Sequence, residues 1–160
     1  MTKSVPIGLT IAGSDSGGGA GIQADLKAFS ALDVYGATVI TAVTAQNTQA
    51  VTAVHGIPAT IVAAQLDAVF DDLIVHAIKI GMLATSDIIG VVVECLKDIK
   101  APVVLDPVMI AKSGDALLQT NAIDTLRTCL LPLATILTPN IPEAAILLDT
   151  EDAKNIDQME

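Results

Sequence analysis

Short β-rich runs alternate with helical patterns along the chain, and this alternation restricts the fold more than any other feature. The run PIGLTIAG at 6–13 precedes a helical pattern near 20–32, and PVVLDPV at 102–108 precedes one near 120–131. Such spacing predicts βαβ units with right-handed crossovers. We therefore predict a single α/β domain over residues 1–160, with a doubly wound, mostly parallel sheet and helices on both faces.

The remaining elements follow from the same patterns. Strands are expected at 36–47, 51–57, 77–83 and 134–140, and helices from Pro58, from Thr85 or Ser86 to about Ile99, and over 141–148. The β-branched runs within 36–57 predict a hairpin or a β flap at the edge of the sheet. The last residues read as a loop and the first turns of another helix, so the predicted sheet is incomplete at its C-terminus.

Composition limits the functions that the chain can have. Hydrophobic residues make up 52% of it and aromatic residues only 2%, so Ala, Ile, Leu and Val fill the core, as in parallel sheets covered on both faces. The net charge of −10 argues against a nucleic-acid partner. We find no signal peptide, no apolar run that would span a membrane and no Cys/His metal spacing. A cytoplasmic protein with buried thiols is expected.

A glycine-rich stretch, GSDSGGGAG at 13–21, follows the first predicted strand. It is not a P-loop, because Gly19 stands where that motif needs a lysine. The segment from Gly19 to Ala24 fits a loose dinucleotide-binding pattern, but no acidic residue lies near 43–47, where the second strand ends. Two interpretations remain: a tight turn alone, or a turn at which a small ligand meets bare backbone.

Four ordered motifs carry a family resemblance between Ile7 and Leu148. They are AGSDSGGGAGIQADLKAFSALDVYGATVITAVTAQNT, KIGMLAT, VVLDPVMIAKSGDALL and LTPNIPEAAILL. The chain resembles hydroxymethylpyrimidine/phosphomethylpyrimidine kinases, the thiamin-pathway members of the ribokinase superfamily; pyridoxal kinases share parts of these motifs. The resemblance implies a ribokinase-like fold, a homodimer, and ATP-dependent phosphorylation of 4-amino-5-hydroxymethyl-2-methylpyrimidine and its monophosphate.

The resemblance also implies a substrate site at the ends of several strands. Its pyrimidine-binding residues would be Gly13, Asp15, Ala20, Gln46, Met82 and Val108. An amide such as that of Gln46 offers an aminopyrimidine both a donor and an acceptor. Without the motif, Gln46 is an ordinary polar strand end, and the apolar pair would be core residues.

On the phosphate side, the resemblance assigns Mg²⁺ to Asp106 and Glu143, and places Asn140 and Lys112 beside ATP or the transferred phosphate. Oxygen ligands suit Mg²⁺. Three of these residues also have a plain structural interpretation: Asp106 as a turn residue before a proline, Glu143 as an acid in the first turn of a helix, and Lys112 as a solvated lysine.

No catalytic residue is assigned, because the family's G-T-G-C-T turn, with its anion hole and base, is missing from these residues. Three hypotheses therefore stay open. The chain is the pyrimidine-binding part of a kinase whose activity needs a longer chain, or it is a truncated, inactive pyrimidine-binding module. The third hypothesis is pyridoxal kinase activity.

Overall fold

The computed structural model describes residues 5–109 and 118–159. Its strands are β1 Ile7–Asp15, β2 Tyr35–Gln46, β3 Val51–Gly56, β4 Ala77–Ile80, β5 Val103–Leu105 and β6 Ile136–Leu137. They form one six-stranded sheet in the order β3-β2-β1-β4-β5-β6. The helices are α1 Gly21–Ala31, α2 Ala59–Asp72, α3 Ser86–Leu96, α4 Thr120–Thr125 and α5 Ile141–Leu148.

The sheet is parallel except at one edge. β1 pairs in parallel with both β2 and β4, and β5 pairs in parallel with β4 and β6. Among the described strands, β3 alone runs antiparallel, against the end of β2 from Ala42 to Gln46. The predicted hairpin therefore exists, but most of β2 belongs to the parallel sheet, so a flap over the whole of 36–57 is too broad.

Helices cover both faces of the sheet, which confirms the predicted α/β class. Leu9 and Ile11 of β1 point into the main core, where they meet side chains of α2 and α3. Thr10 points the other way and hydrogen-bonds Asp25 on α1. Glycines let α1 lie close to the sheet, since a Cβ at Gly36 would lie 2.4 Å from a terminal methyl of Leu26.

Several predicted elements are shorter or more irregular than the sequence patterns suggested. The strand expected over 134–140 has only the two residues of β6, and those expected over 77–83 and 102–108 are also shorter. The helix expected over 120–131 begins as α4, continues as a π-helix over Leu126–Leu130 and ends as a 3₁₀ turn over Leu131–Leu133. The residue at which a strand ends depends on where the neighbouring strands can hydrogen-bond to it, and the apolar runs of the sequence do not contain this information.

Two further observations concern the cysteines and the membrane. Cys95 is partly buried and Cys129 is exposed, so the expectation of two buried thiols is wrong for Cys129. Among the described residues, no helix combines the length and apolar character needed to cross a membrane.

Candidate functional site

A cavity of about 260 Å³ opens at the carboxyl ends of the parallel strands. In doubly wound sheets, ligands bind at this edge. The cavity is lined by Ala12, Gly13, Ser14, Asp15, Ala20, Gly21, Ala24, Asp25, Thr44, Gln46, Lys79, Gly81, Met82, Asp106 and Val108. The six residues predicted to bind the pyrimidine all lie in this lining, and Asp106, predicted to hold the metal, lies there too.

The glycine turn is organised by the carboxylate of Asp15. This side chain is 5% exposed, and its oxygens accept hydrogen bonds from the backbone N–H groups of Gly17, Gly19 and Ala20 at 2.7, 2.9 and 2.8 Å. A carboxylate that accepts several N–H groups makes strong, charge-assisted bonds. These amides are therefore already paired within the chain, and the turn forms a wall of the cavity rather than a phosphate-binding loop.

Gly21 is where this turn requires glycine. Its φ is +54°, and a Cβ there would lie 2.2 Å from the carbonyl oxygen of Gly13. No side chain can adjust to relieve such a contact, because the opposing atom belongs to the backbone. The helix α1 can thus begin directly against the end of β1, which places Ala20 in the cavity wall.

Gln46 is held at two points. The Ser16 hydroxyl accepts from the backbone N–H of Gln46 and donates to its carbonyl oxygen, both at 2.8 Å. The side-chain oxygen Oε1 lies 3.1 Å from the hydroxyl of Thr44, two residues earlier on the same face of β2. Gln46, which is predicted to bind the pyrimidine, is therefore held by the glycine turn through its backbone and by its own strand through its side chain.

A charge cluster forms another part of the cavity wall. The Lys79 ammonium lies 3.3 Å from Asp25 and 3.5 Å from Asp106, and Asp25 also accepts a 2.6 Å hydrogen bond from Thr10. The lysine offsets the charge of two carboxylates that come from separate elements. Gly81 leaves space for it, since a Cβ there would lie 3.0 Å from the ammonium nitrogen.

The apolar side of the cavity is set by Met82 and Val108. The fully buried Thr41 donates a 2.6 Å hydrogen bond to the carbonyl oxygen of Met82, which fixes the backbone after β4. Met82 is 7% exposed and belongs to the buried core as well. Met82 is therefore both a cavity-wall residue and a core residue.

Asn140 and Glu143 do not line this cavity. The Asn140 side chain accepts from the N–H of Glu143 at 2.9 Å, and Glu143 Oε2 accepts from the N–H of Asn140 at 3.0 Å. This reciprocal pair is a capping box at the start of α5. Asn140 also lines a second hollow between α5 and the C-terminal segment. Lys112 lies outside the described residues.

Sequence reasoning missed Asp25, Lys79 and Thr44. An acid four residues after Gly21 on α1 and a lysine inside an apolar strand were both visible in the sequence. A charged residue within a buried strand is unusual unless it is paired, and this was the available signal. Its partners could not be named before the fold showed that α1 covers the face of the sheet on which the Lys79 side chain lies.

A family model described as phosphomethylpyrimidine kinase matches residues 15–160. The chain belongs to this family. It is 60% identical over 141 residues to the hydroxymethylpyrimidine/phosphomethylpyrimidine kinase of Rhizobium meliloti strain 1021, and 56% identical over 152 residues to that of Escherichia coli strain K12. These alignments cover 88% and 94% of this chain but 53% and 57% of the relatives, so the chain spans little more than half of their length.

Solved structures of related kinases are similar to this chain in fold and sequence. The phosphomethylpyrimidine kinase of Clostridium difficile 630 superposes with a TM-score of 0.88 at 52% identity, over 96% of this chain and 67% of that one. The pyridoxal kinase of Staphylococcus aureus in complex with AMP-PCP and pyridoxal gives a TM-score of 0.85 at 35% identity, over 98% and 56%. The ribokinase-like fold inferred from the motifs is thereby confirmed.

Proposed function

We propose that this chain carries the pyrimidine-binding part of a hydroxymethylpyrimidine/phosphomethylpyrimidine kinase. The reaction would be ATP-dependent phosphorylation of 4-amino-5-hydroxymethyl-2-methylpyrimidine and of its monophosphate in cytoplasmic thiamin biosynthesis. One observation carries the proposal: Gly13, Asp15, Ala20, Gln46, Met82 and Val108, separated by up to 95 positions between the first and the last (108 − 13), line one cavity.

The size and chemistry of the cavity suit a single flat ring. About 260 Å³ is just below the range of roughly 300–1,000 Å³ that is typical of drug-sized ligands. Met82 and Val108 offer apolar contact to the ring faces, while the Gln46 amide offers a donor and an acceptor to its edge. The backbone N–H groups of the glycine turn already bond to Asp15. The turn can therefore lie against the ring, and these N–H groups are not available to bind a phosphate.

Charge favours placing the phosphate outside this cavity. Among the residues that the structure describes, three carboxylates and one ammonium line it, namely those of Asp15, Asp25, Asp106 and Lys79. A transferred phosphoryl group would therefore be accommodated beyond Asp106, toward β6, where a cation can offset its charge.

The residues present there fit Mg²⁺ in donor chemistry. Asp106 follows β5 and Asn140 follows β6, and Leu105 pairs with Leu137 in parallel, so the two strand ends lie side by side. Their oxygens, with the carboxylate of Glu143, are the ligand type that Mg²⁺ takes. We propose that Asp106 and Glu143 hold the ion and that Asn140 and Lys112 lie on the ATP side. The ion would neutralise charge on the phosphates of ATP.

The test is direct binding of the ring to the purified chain. Titration of 4-amino-5-hydroxymethyl-2-methylpyrimidine into wild-type protein should give saturable heat, and Gln46→Ala should weaken the affinity about 3- to 10-fold through loss of its hydrogen bonds. Gln49→Ala is the matched control, because Gln49 is an exposed residue of the turn between β2 and β3. A folded wild-type chain that binds no pyrimidine would contradict the proposal.

Two further measurements separate the alternatives. Incubation with Mg·ATP and the pyrimidine, with product measured directly, distinguishes a competent kinase from an inactive pyrimidine-binding module. Competition with pyridoxal tests the second candidate substrate, which the pyridoxal complex of the Staphylococcus aureus relative favours. The homodimer implied by the resemblance remains a prediction, and sedimentation analysis would test it.

A further inference from the structure

Thr44 lies between two hydrogen-bond acceptors in the cavity wall. Thr44 is only 5% exposed, and its hydroxyl lies 3.0 Å from the carbonyl oxygen of Ser14 and 3.1 Å from Oε1 of Gln46. A hydroxyl group carries a single proton. Thr44 can therefore donate to the Ser14 carbonyl or to the Gln46 amide, but not fully to both.

This competition bears on the orientation of the Gln46 amide. When Thr44 donates to Oε1, the oxygen end of the amide is held against β2, and the NH₂ end is the outer one. In the part of the chain that the structure describes, no residue accepts a hydrogen bond from this Nε2 group. When Thr44 donates to Ser14 instead, its oxygen can only accept, and the amide must make a half-turn to present its NH₂ end to Thr44.

The backbone of Gln46 does not share this freedom. The Ser16 hydroxyl pairs with both its N–H and its carbonyl oxygen at 2.8 Å, whichever way the side chain turns. The choice between the two amide orientations is therefore confined to the side chain, and Thr44 is the described residue that contacts its oxygen.

We infer that Thr44 is a positioning residue that sets the order of acceptor and donor along the Gln46 edge of the cavity. This inference rests on the proposed function, in which the Gln46 amide hydrogen-bonds to the edge of an aminopyrimidine. With Oε1 on the side of Thr44, the ring must bring its amino group to that side and its ring nitrogen to the outer Nε2. The positions of Oε1 and Nε2 of Gln46 therefore fix the orientation in which the ring binds, and hence which ring substituent faces Asp106.

The first experiment needs no ligand. In ¹⁵N-labelled protein, the side-chain NH₂ signal of Gln46 is assigned by its loss in Gln46→Ala, and its order is measured by the heteronuclear NOE. We expect Thr44→Val to lower that order to the level of the exposed Gln49 side chain, and Thr44→Ser to restore it. The control Thr52→Val, on β3 and outside the cavity lining, removes a hydroxyl that donates to the Ala45 carbonyl of β2, and should leave the Gln46 side chain unchanged. An unchanged Gln46 signal in Thr44→Val would overturn the inference.

The second experiment is a double-mutant cycle on affinity for the hydroxymethylpyrimidine. Thr44→Val should weaken binding about 3- to 10-fold in the wild-type background and have little further effect in Gln46→Ala, since coupled residues are not additive. It should also reduce the preference for the aminopyrimidine over pyridoxal. Equal losses in both backgrounds would mean that Thr44 acts independently of Gln46, which refutes the inference.

The two experiments distinguish a failure of the proposed function from a failure of the inference about Thr44. If the wild-type chain binds neither ring, the proposed function fails, while the NMR comparison of Thr44→Val with wild type still decides whether Thr44 orients Gln46. If the ring binds and the NMR comparison shows no change, the proposed function stands and the role of Thr44 is wrong.

Discussion

Asp15→Asn is expected to destabilise the protein through the glycine turn while preserving the shape of the side chain. In the wild type, one oxygen accepts from Gly17 and the other from both Gly19 and Ala20. An asparagine oxygen can keep the pair from Gly19 and Ala20, but its NH₂ group would then face the N–H of Gly17. One charge-assisted bond is lost and two become neutral.

The magnitude follows from these bonds. A hydrogen bond to a charged group contributes about 1.5–3 kcal/mol and a neutral one about 0.5–1.5 kcal/mol. Because Gly17, Gly19 and Ala20 are exposed, water recovers part of the loss. We expect the free energy of unfolding to fall by about 2–3 kcal/mol. For a domain of this size, that corresponds to a decrease in Tm of roughly 5–10 °C.

Urea and thermal unfolding, followed by circular dichroism, would measure this change. Hydrogen exchange at the amides of Gly17, Gly19 and Ala20 should accelerate at the same time. Asp71→Asn makes the same charge change at an exposed position of α2 and should stay within about 0.5 kcal/mol of wild type. If Asp15→Asn is as stable as Asp71→Asn, the carboxylate does not organise the turn.

Three further outcomes are expected. Lys79→Met should reduce stability by about 1–3 kcal/mol in urea unfolding, because it leaves the partly buried carboxylates of Asp25 and Asp106 without their cation. Asn140→Ala should reduce it by about 1 kcal/mol, because the capping box loses its N-cap acceptor. Burial, with a smaller contribution from the nearby Asp67, raises the pKa of the Cys95 thiol above its ordinary value, so at pH 8 iodoacetamide should alkylate the exposed Cys129 first.

Each of these has a control. Lys97→Met breaks only an exposed pair with Glu94 and should leave the stability close to that of the wild type. Asn121→Ala replaces an exposed asparagine inside α4 rather than at a cap. Losses equal to those controls would contradict the roles of Lys79 and Asn140. For the thiols, the alkylation rate of Cys95 should rise with pH, since only the thiolate reacts; equal rates for both cysteines at pH 8 would argue against the burial effect.

The sequence by itself determined the features that depend on neighbouring residues. The alternation of β-branched runs and helical patterns was enough for the α/β class, because hydrophobic periodicity is a local property. The N-x-x-E segment at Asn140 likewise marks the start of α5, because a capping box needs only three residues of separation. The family motifs pointed to the six residues that the structure brings to one cavity.

Only the tertiary structure decided how those residues are supported. Lys79 and Asp25 are 54 positions apart and meet because the Lys79 side chain of β4 lies on the face of the sheet that α1 covers. Ser16 and Gln46, 30 positions apart, meet because β1 and β2 run in parallel and end together. The lengths of β5 and β6 were also undecided in the sequence. Such contacts depend on strand order and register, which chain neighbours do not specify, whereas helix starts and apolar faces are set within a few residues.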